Sequence, residues 1–196
     1  MPRAARIVIP GAPHHVTQRG NRREPIFFED GDQTIYLRIL ASQARQRGVE
    51  IWAYCLMPNH VHLILTPQTE TALASTVGET HRRYTSFING RAGWTGHLFQ
   101  SRYASVAMSE AHLMTAARYV ALNPVRARLV ARASDWRWSS VHAHLAGQDD
   151  GVVTVAPLLD RLGCFADTLQ TAPDDPAFAA LRSAEVTGQP LFEGTG

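Results

Sequence analysis

Two histidines separated by a single residue, His60 and His62, open the stretch HVHLILT. In an extended strand the side chains alternate between faces, so His60, His62 and Ile64 share one face and Val61, Leu63 and Leu65 the other. Two imidazoles side by side on a rigid strand supply two of the ligands a divalent metal needs, and the apolar face opposite anchors the strand to a core. The competing reading is a pair of exposed or hydrogen-bonded histidines. The Met57-Pro58-Asn59 turn before them and the apolar flanks count against it.

A second group sits on a helix expected over 110–122, with Ser109 as its N-cap and Asn123-Pro124 as its stop. At about 100° per residue, Leu113, Met114, Ala117, Val120 and Ala121 make its core stripe, while His112, Ala116, Tyr119 and Asn123 make a separate one. Tyr119 and Asn123 therefore lie on one face, a turn apart. Taken singly, a packed aromatic and a helix-ending residue before proline are equally open readings of them.

The elements that must position these groups follow from periodicity and turn residues. HHVTQRGNRREPIFF reads as two short extended pieces around Gly20-Asn21, and a helix is expected from Asp32, as N-cap, to Arg47 before Gly48. VEIWAYCL and HVHLILT, separated only by Met57-Pro58-Asn59, form an antiparallel hairpin. A helix over 70–88 places Leu73, Val77, Tyr84 and Ile88 on one stripe and stops at Asn89-Gly90, and a strand is expected across HLFQSRYASVAM. The order strand, helix, hairpin, helix, strand, helix implies an α+β fold, an antiparallel sheet with helices packed mainly on one face.

Charge divides the chain. Residues 1–145 hold 17 Arg against nine acids, a balance of +8, and all nine histidines; residues 146–196 hold two Arg against eight acids, a balance of −6. Every basic residue is Arg, a side chain suited to bidentate contact with phosphate and to stacking on bases. The asymmetry points to an anionic partner, with Arg19, Arg22, Arg23, Arg82, Arg83 and Arg102 as candidates for phosphate contact. Trp94, Phe99 and Tyr103 are candidates for stacking on bases, although core packing competes for each; His81 and His97 are read as structural. A catalytic domain is expected over 1–145 and an acidic appendage over 146–196 that modulates rather than performs catalysis, with GQDDG at 147–151 as the linker. Cys55 and Cys164 read as reduced, packed thiols. No apolar run approaches the roughly 20 residues that cross a bilayer, and no signal-peptide core is present, so a cytoplasmic protein without a membrane partner is expected.

MPNHVHLIL and ARYVALNPV, together with HVTQRGN, GHLFQSRY and DWRWSS in the same order, resemble the REP-associated tyrosine transposases of the HUH superfamily of single-stranded DNA nucleases. The resemblance spans residues 6 to 141. It implies the ferredoxin-like HUH nuclease fold, with His60, His62 and Asn123 as metal ligands and Tyr119 as nucleophile. It also implies single-stranded or hairpin DNA as partner and leaves both a homodimer and a monomer open. A phenol, with a pKa of about 10, is a weak nucleophile at neutral pH, so a metal on the scissile phosphate has to assist its attack. Two imidazoles and an amide oxygen admit Mg²⁺ or Mn²⁺. Attack would leave a 5′-phosphotyrosine and a free 3′-hydroxyl. A catalytically silent DNA-binding regulator and a metallohydrolase with a water nucleophile are the alternatives.

Overall fold

The computed structural model describes residues 7–170, 175–187 and 191. The first six residues of the expected catalytic domain, and residues 171–174, 188–190 and 192–196 of the expected appendage, lie outside the described residues. Four strands, β1 (His14–Arg19), β2 (Val49–Met57), β3 (His60–Pro67) and β4 (Ala104–Ala107), form one sheet in the order β2-β3-β1-β4. All neighbours are antiparallel. With α1 (Asp32–Arg47) between β1 and β2, and α2 (Ala72–Ala92) between β3 and β4, this is the βαββαβ, ferredoxin-like arrangement.

The two faces of the sheet bury different sets of side chains. Val16, Leu56, Val61, Leu63 and Leu65 pack under Tyr36, Leu37 and Leu40 of α1 and Leu73, Val77, Tyr84 and Ile88 of α2. The helical stripe read from α2 is thus its core stripe. Tyr84 is fully buried and donates its hydroxyl proton to Ile26 O at 2.7 Å, so its polar end is satisfied inside the core. On the other face Ala53, Cys55, Met57 and Ile64 meet α3 (Glu110–Arg126), through Leu113, Ala117, Val120 and Ala121. The paired helices α1 and α2 therefore share one face, and α3 returns across the face that carries His60 and His62.

Several boundaries differ from expectation for local reasons. Gly20 is followed by a 3-10 turn over Asn21–Arg23 rather than a second strand. A Cβ at Gly20 would lie 2.2 Å from Glu24 O, so the tight return needs glycine there. Gly31, with φ of 99°, precedes α1, while the Asp32 carboxylate accepts from the Phe28 and Glu29 amides and pairs with Arg91. Helix α2 runs through Asn89-Gly90 to Gly93, the residue that adopts the left-handed cap. The strand expected over 97–108 is reduced to Ala104–Ala107, with positive φ at Gly96 and Ser101 bending the chain before it and isolated bridges from Phe99 to Gly20 and from Met108 to Leu191 on either side. Helix α3 continues through Pro124 to Arg126, its last turn secured by the burial of Leu122, Asn123 and Pro124.

The chain after α3 binds the body of the protein. Residues 138–154 run along the free edge of β2, where Leu56 N donates to Trp138 O, Ser140 N to Tyr54 O and Thr154 N to Ile51 O. An edge strand is thereby protected from pairing with another chain. Beyond α4 (Val141–Ala146), Val153 and Val155 enter the first core. Leu158 of α5 (Ala156–Leu162), Phe165 of α6 (Phe165–Thr168) and Phe178 and Leu181 of α7 (Phe178–Thr187) enter the second. Cys55 is buried as expected, but Cys164 is exposed, since it stands at the loop that starts α6 rather than on a packed face. Among the described residues no helix is long and apolar enough to cross a membrane.

Candidate active site

Register assembles the site. On β3, His60 and His62 stand opposite Arg19 and Thr17 of β1 and opposite Met57 and Cys55 of β2, and Ile64 stands opposite His15. Cross-strand partners share a face, so His15, Thr17 and Arg19 line the same surface as the two histidines. The rings of His60 and His62 lie 4.9 Å apart, nearly perpendicular.

Hydrogen bonds determine which nitrogen of His60 is basic. His60 Nδ1 is 2.6 Å from Asn59 Oδ1, while Asn59 Nδ2 donates to Arg23 O at 3.0 Å. That second bond orients the amide, so Oδ1 is the atom facing the ring and His60 Nδ1 carries the proton. Nε2 is left with the lone pair. His62 is held from both ends: Nδ1 lies 3.1 Å from His15 Nε2, and Nε2 lies 3.0 Å from the side-chain amide of Asn123. A half-turn of that amide exchanges its nitrogen for its oxygen without moving its centre.

All three rings are held neutral. Burial brings His15 down to about 4 and, with the charge of Arg19, His60 down to about 4. Burial, followed by the neighbouring His60, His15, Arg19 and Arg126, puts His62 well below the ordinary imidazole range. Neutral imidazole is the form that ligates a metal. Among the described residues no group of three or more His, Cys, Asp and Glu has metal-holding geometry. Two side-chain amides face ring nitrogens of the pair: Asn59 is engaged with His60 Nδ1, and Asn123 stands at His62 Nε2, where it could serve as a third ligand.

Helix α3 brings Tyr119 to the same place. Its ring lies edge-on to His62 at 5.4 Å and to His15 at 5.8 Å, and it is only 5% exposed. Tyr119 is therefore both off the helix's main apolar stripe and buried, because a second surface, the histidine face of the sheet, receives it. The Arg126 guanidinium lies 4.5 Å from the Tyr119 ring centroid and 5.3 Å from that of Phe178. All of these groups come from one chain.

The structure thus brings His60, His62, Asn123 and Tyr119 together, with Arg19 across from His60 and Arg23 tied to Asn59. Arg22 is exposed on the same turn as Arg23. Arg82 and Arg83 lie elsewhere, on the helix that covers the opposite face, and both pair with Glu79. Arg102 is exposed beside an open groove of about 600 Å³ between α2 and the loop before β4, which is also lined by His81, His97 and Phe99. Trp94 is exposed next to Phe28, whereas Phe99 and Tyr103 are buried.

Sequence reasoning missed His15, Asn59, Arg126 and Phe178. Arg126 had a signal, since positions 119, 123 and 126 follow helical spacing. His15 had half of one, because alternation groups it with Thr17 and Arg19, but only strand pairing shows that this group faces His62. Phe178 had none, as its approach to Tyr119 depends on the path of the chain after α4.

The family described as "Transposase IS200 like" matches residues 11–123, more than half of the chain and the whole of the constellation. Among solved structures, a REP-associated tyrosine transposase bound to a REP hairpin aligns with a TM-score of 0.62 and 23% identity, covering 79% of this chain and 92% of that one. A candidate transposase from Deinococcus radiodurans R1 aligns with 24% identity over 60% of this chain and 95% of that one, at a TM-score of 0.42. No curated protein matches the chain. On the span of the family match and its coincidence with the histidine strand and the tyrosine helix, the chain belongs to the IS200-like transposase family, whose members act on DNA.

Proposed function

We propose that this protein nicks and rejoins single-stranded DNA through a covalent link to Tyr119, at a divalent metal held by His60, His62 and Asn123. The observation that carries the reading is the arrangement of ring nitrogens: Nδ1 of each histidine is engaged, by Asn59 and by His15, and Asn123 stands at Nε2 of His62. Tying one imidazole nitrogen so that the other ligates is how proteins prepare histidine for a metal. The donor set, two neutral imidazoles and an amide oxygen, fits Mg²⁺ or Mn²⁺, with Mn²⁺ the better match to nitrogen ligands. When bound, the metal would supply Lewis-acid polarisation of the scissile phosphate.

The chain's own groups do the rest. Tyr119 Oη attacks phosphorus, the bond from phosphorus to the 3′ oxygen breaks, and the phenol proton is lost as the leaving oxygen takes one up. The products are a 5′-phosphotyrosine and a free 3′-hydroxyl. One phosphodiester replaces another, so attack by a 3′-hydroxyl runs the step backwards and joins strands. Arg126 beside the Tyr119 ring favours negative charge on the phenol, and Arg19 opposite His60 supplies cationic charge where a phosphate would approach.

The substrate we infer is single-stranded DNA next to a hairpin, as formed by a short palindrome. The solved relative of the same fold holds a REP hairpin. A tyrosine set in a recess against the sheet suits a single strand better than a stiff duplex. A single chain contains every group the reaction needs, so a monomer suffices for one cleavage. A second reading, a DNA-binding protein that keeps the fold without turnover, draws on the coverage of Tyr119 by Phe178.

Denaturing gels of the protein with labelled hairpin oligonucleotides from the flanks of its own gene, in Mn²⁺, separate these readings. A covalent adduct is expected from the wild type and none from Tyr119→Phe, which keeps the ring and removes the nucleophile. Adduct persisting in Tyr119→Phe, or a DNA-linked peptide containing Tyr84, would overturn the assignment.

A further inference from the structure

His15 belongs to no part of the constellation read from the sequence, yet it is buried in the middle of it. Its strand, β1, lies between β3 and β4 and is hydrogen-bonded to both, so its backbone is paired along both edges. The rings of His15 and His62 are within 13° of parallel with centroids 5.3 Å apart, and the facing nitrogens are 3.1 Å apart. A nitrogen separation of 3.1 Å within a centroid separation of 5.3 Å puts both nitrogens close to the line between the ring centres, so the near-parallel rings meet edge to edge along their nitrogen lone-pair directions, which is hydrogen-bond geometry rather than face stacking.

We propose that His15 is a positioning residue for the metal site: its Nε2 accepts the Nδ1 proton of His62 and thereby aims the lone pair of His62 Nε2 at the position shared with Asn123. This rests on the metal reading above. A bond between two neutral imidazoles has two tautomeric forms. If His15 donates, His62 carries its proton on Nε2 and cannot ligate there. If His62 donates, Nε2 is basic and faces Asn123, and the His15 proton sits on Nδ1. Only the second form gives both histidines of the pair the same polarity, because the Asn59 oxygen already holds the His60 proton on Nδ1. The two ligands would then be set by two different partners, an amide in the preceding turn and an imidazole on the neighbouring strand.

The alignment also explains why the helper comes from β1. Thr17 is the direct cross-strand partner of His62 and His15 is the diagonal one. Diagonal neighbours are within reach of long or aromatic side chains. A ring at position 15 therefore arrives in the plane of the His62 ring, where Thr17 is too short to serve. His15 is not itself a third imidazole ligand: the nitrogen nearest the pair is the one engaged with His62.

The test uses the full chain. Nitrogen NMR of the metal-free wild type reads the His62 tautomer directly, and protonation at Nδ1 is expected. Calorimetric titration with Mn²⁺ then compares the wild type with His15→Phe, which fills the space without an acceptor, and with His15→Gln, whose side-chain oxygen can accept near the same point. His15→Phe should bind Mn²⁺ about 10- to 100-fold more weakly, and His15→Gln should recover most of that loss, with melting temperatures showing that both variants are folded. Protonation of wild-type His62 at Nε2, or equal Mn²⁺ affinity in folded His15→Phe, would overturn the proposal. Should His15→Phe fail to fold, the tautomer measurement and the His15→Gln titration still decide it. If the wild type binds no Mn²⁺, or binds it equally after His62→Ala, the metal reading itself fails, a result distinct from tight wild-type binding that is indifferent to position 15.

Discussion

The ring of Phe178, in the last described helix, stands edge-on against the ring of Tyr119, with centroids 5.4 Å apart and planes at 73°. Arg126 spans both rings, and Phe178 is completely buried. The residue expected to attack DNA is therefore covered by the chain's own C-terminal segment.

Phe178→Ala is expected to raise the initial rate of adduct formation several-fold while lowering stability by roughly 3 kcal/mol, the usual cost of emptying a buried aromatic site. Rates from single-turnover gels and a thermal melt give the two numbers. An unchanged or slower rate in a folded variant would mean that α7 supports the site rather than covers it.

Metal dependence gives a graded expectation. His60→Ala and His62→Ala should abolish adduct formation, because each removes one of two adjacent ring ligands, and chelation should do the same to the wild type. Asn123→Ala should reduce adduct formation less completely than either histidine variant, since an oxygen ligand is more readily replaced by water. Full activity of His60→Ala in chelator would rule out the metal site.

These expectations show what a linear chain discloses. The pairing of His60 with His62 was legible because strand alternation is a local rule, and Tyr119 with Asn123 because helical spacing is. The α+β order followed from the sequence of elements and one unmistakable hairpin, and its ferredoxin-like form from the family resemblance. His15 was not legible, since its role depends on which strand lies beside β3, and Phe178 was not, since it lies some 60 residues along the chain from its partner. The segment after Ala146 reads as an acidic appendage in composition, but its apolar residues, among them Val153, Val155, Leu158, Phe165, Phe178 and Leu181, enter the two cores. Net charge reports on the surface of a segment and says nothing of the side chains it buries.

Acid should destabilise the protein through histidines that the fold holds neutral. His81 packs on Phe99 with its Nε2 3.0 Å from the Tyr36 hydroxyl, and burial holds it down at about 3. The unfolded chain, with an imidazole near 6.5, binds the proton first, so the stability that neutral His81 contributes is intact above about pH 6.5 and is lost as pH falls toward 3. His81→Gln keeps a polar group for Tyr36 and cannot titrate. Its melting temperature should fall less steeply than that of the wild type between pH 6.5 and 4. Parallel profiles would assign the acid lability to other groups.

Five of the six candidate DNA-binding arginines should separate into two sets, and the separation follows from which face of the sheet they serve. Arg19 stands opposite His60, and Arg22 and Arg23 lie on the turn whose backbone accepts from Asn59. Arg82 and Arg83 lie over the other face and are already compensated by Glu79, at 2.8 and 2.6 Å. Exposed ion pairs of this kind add little to stability, but they lower the charge available to a phosphate. Replacing Arg19 or Arg23 by Gln should therefore weaken hairpin binding and reduce the slope of log affinity against log salt by about one for each phosphate that is no longer neutralised. Arg82→Gln and Arg83→Gln should leave that slope nearly unchanged, while Arg102→Gln, beside the open groove, should report whether the strand continues round the β4 edge. Equal weakening by Arg82→Gln and Arg19→Gln would show that DNA is held on both faces of the sheet, and that phosphate competes successfully with Glu79 for the helix α2 arginines.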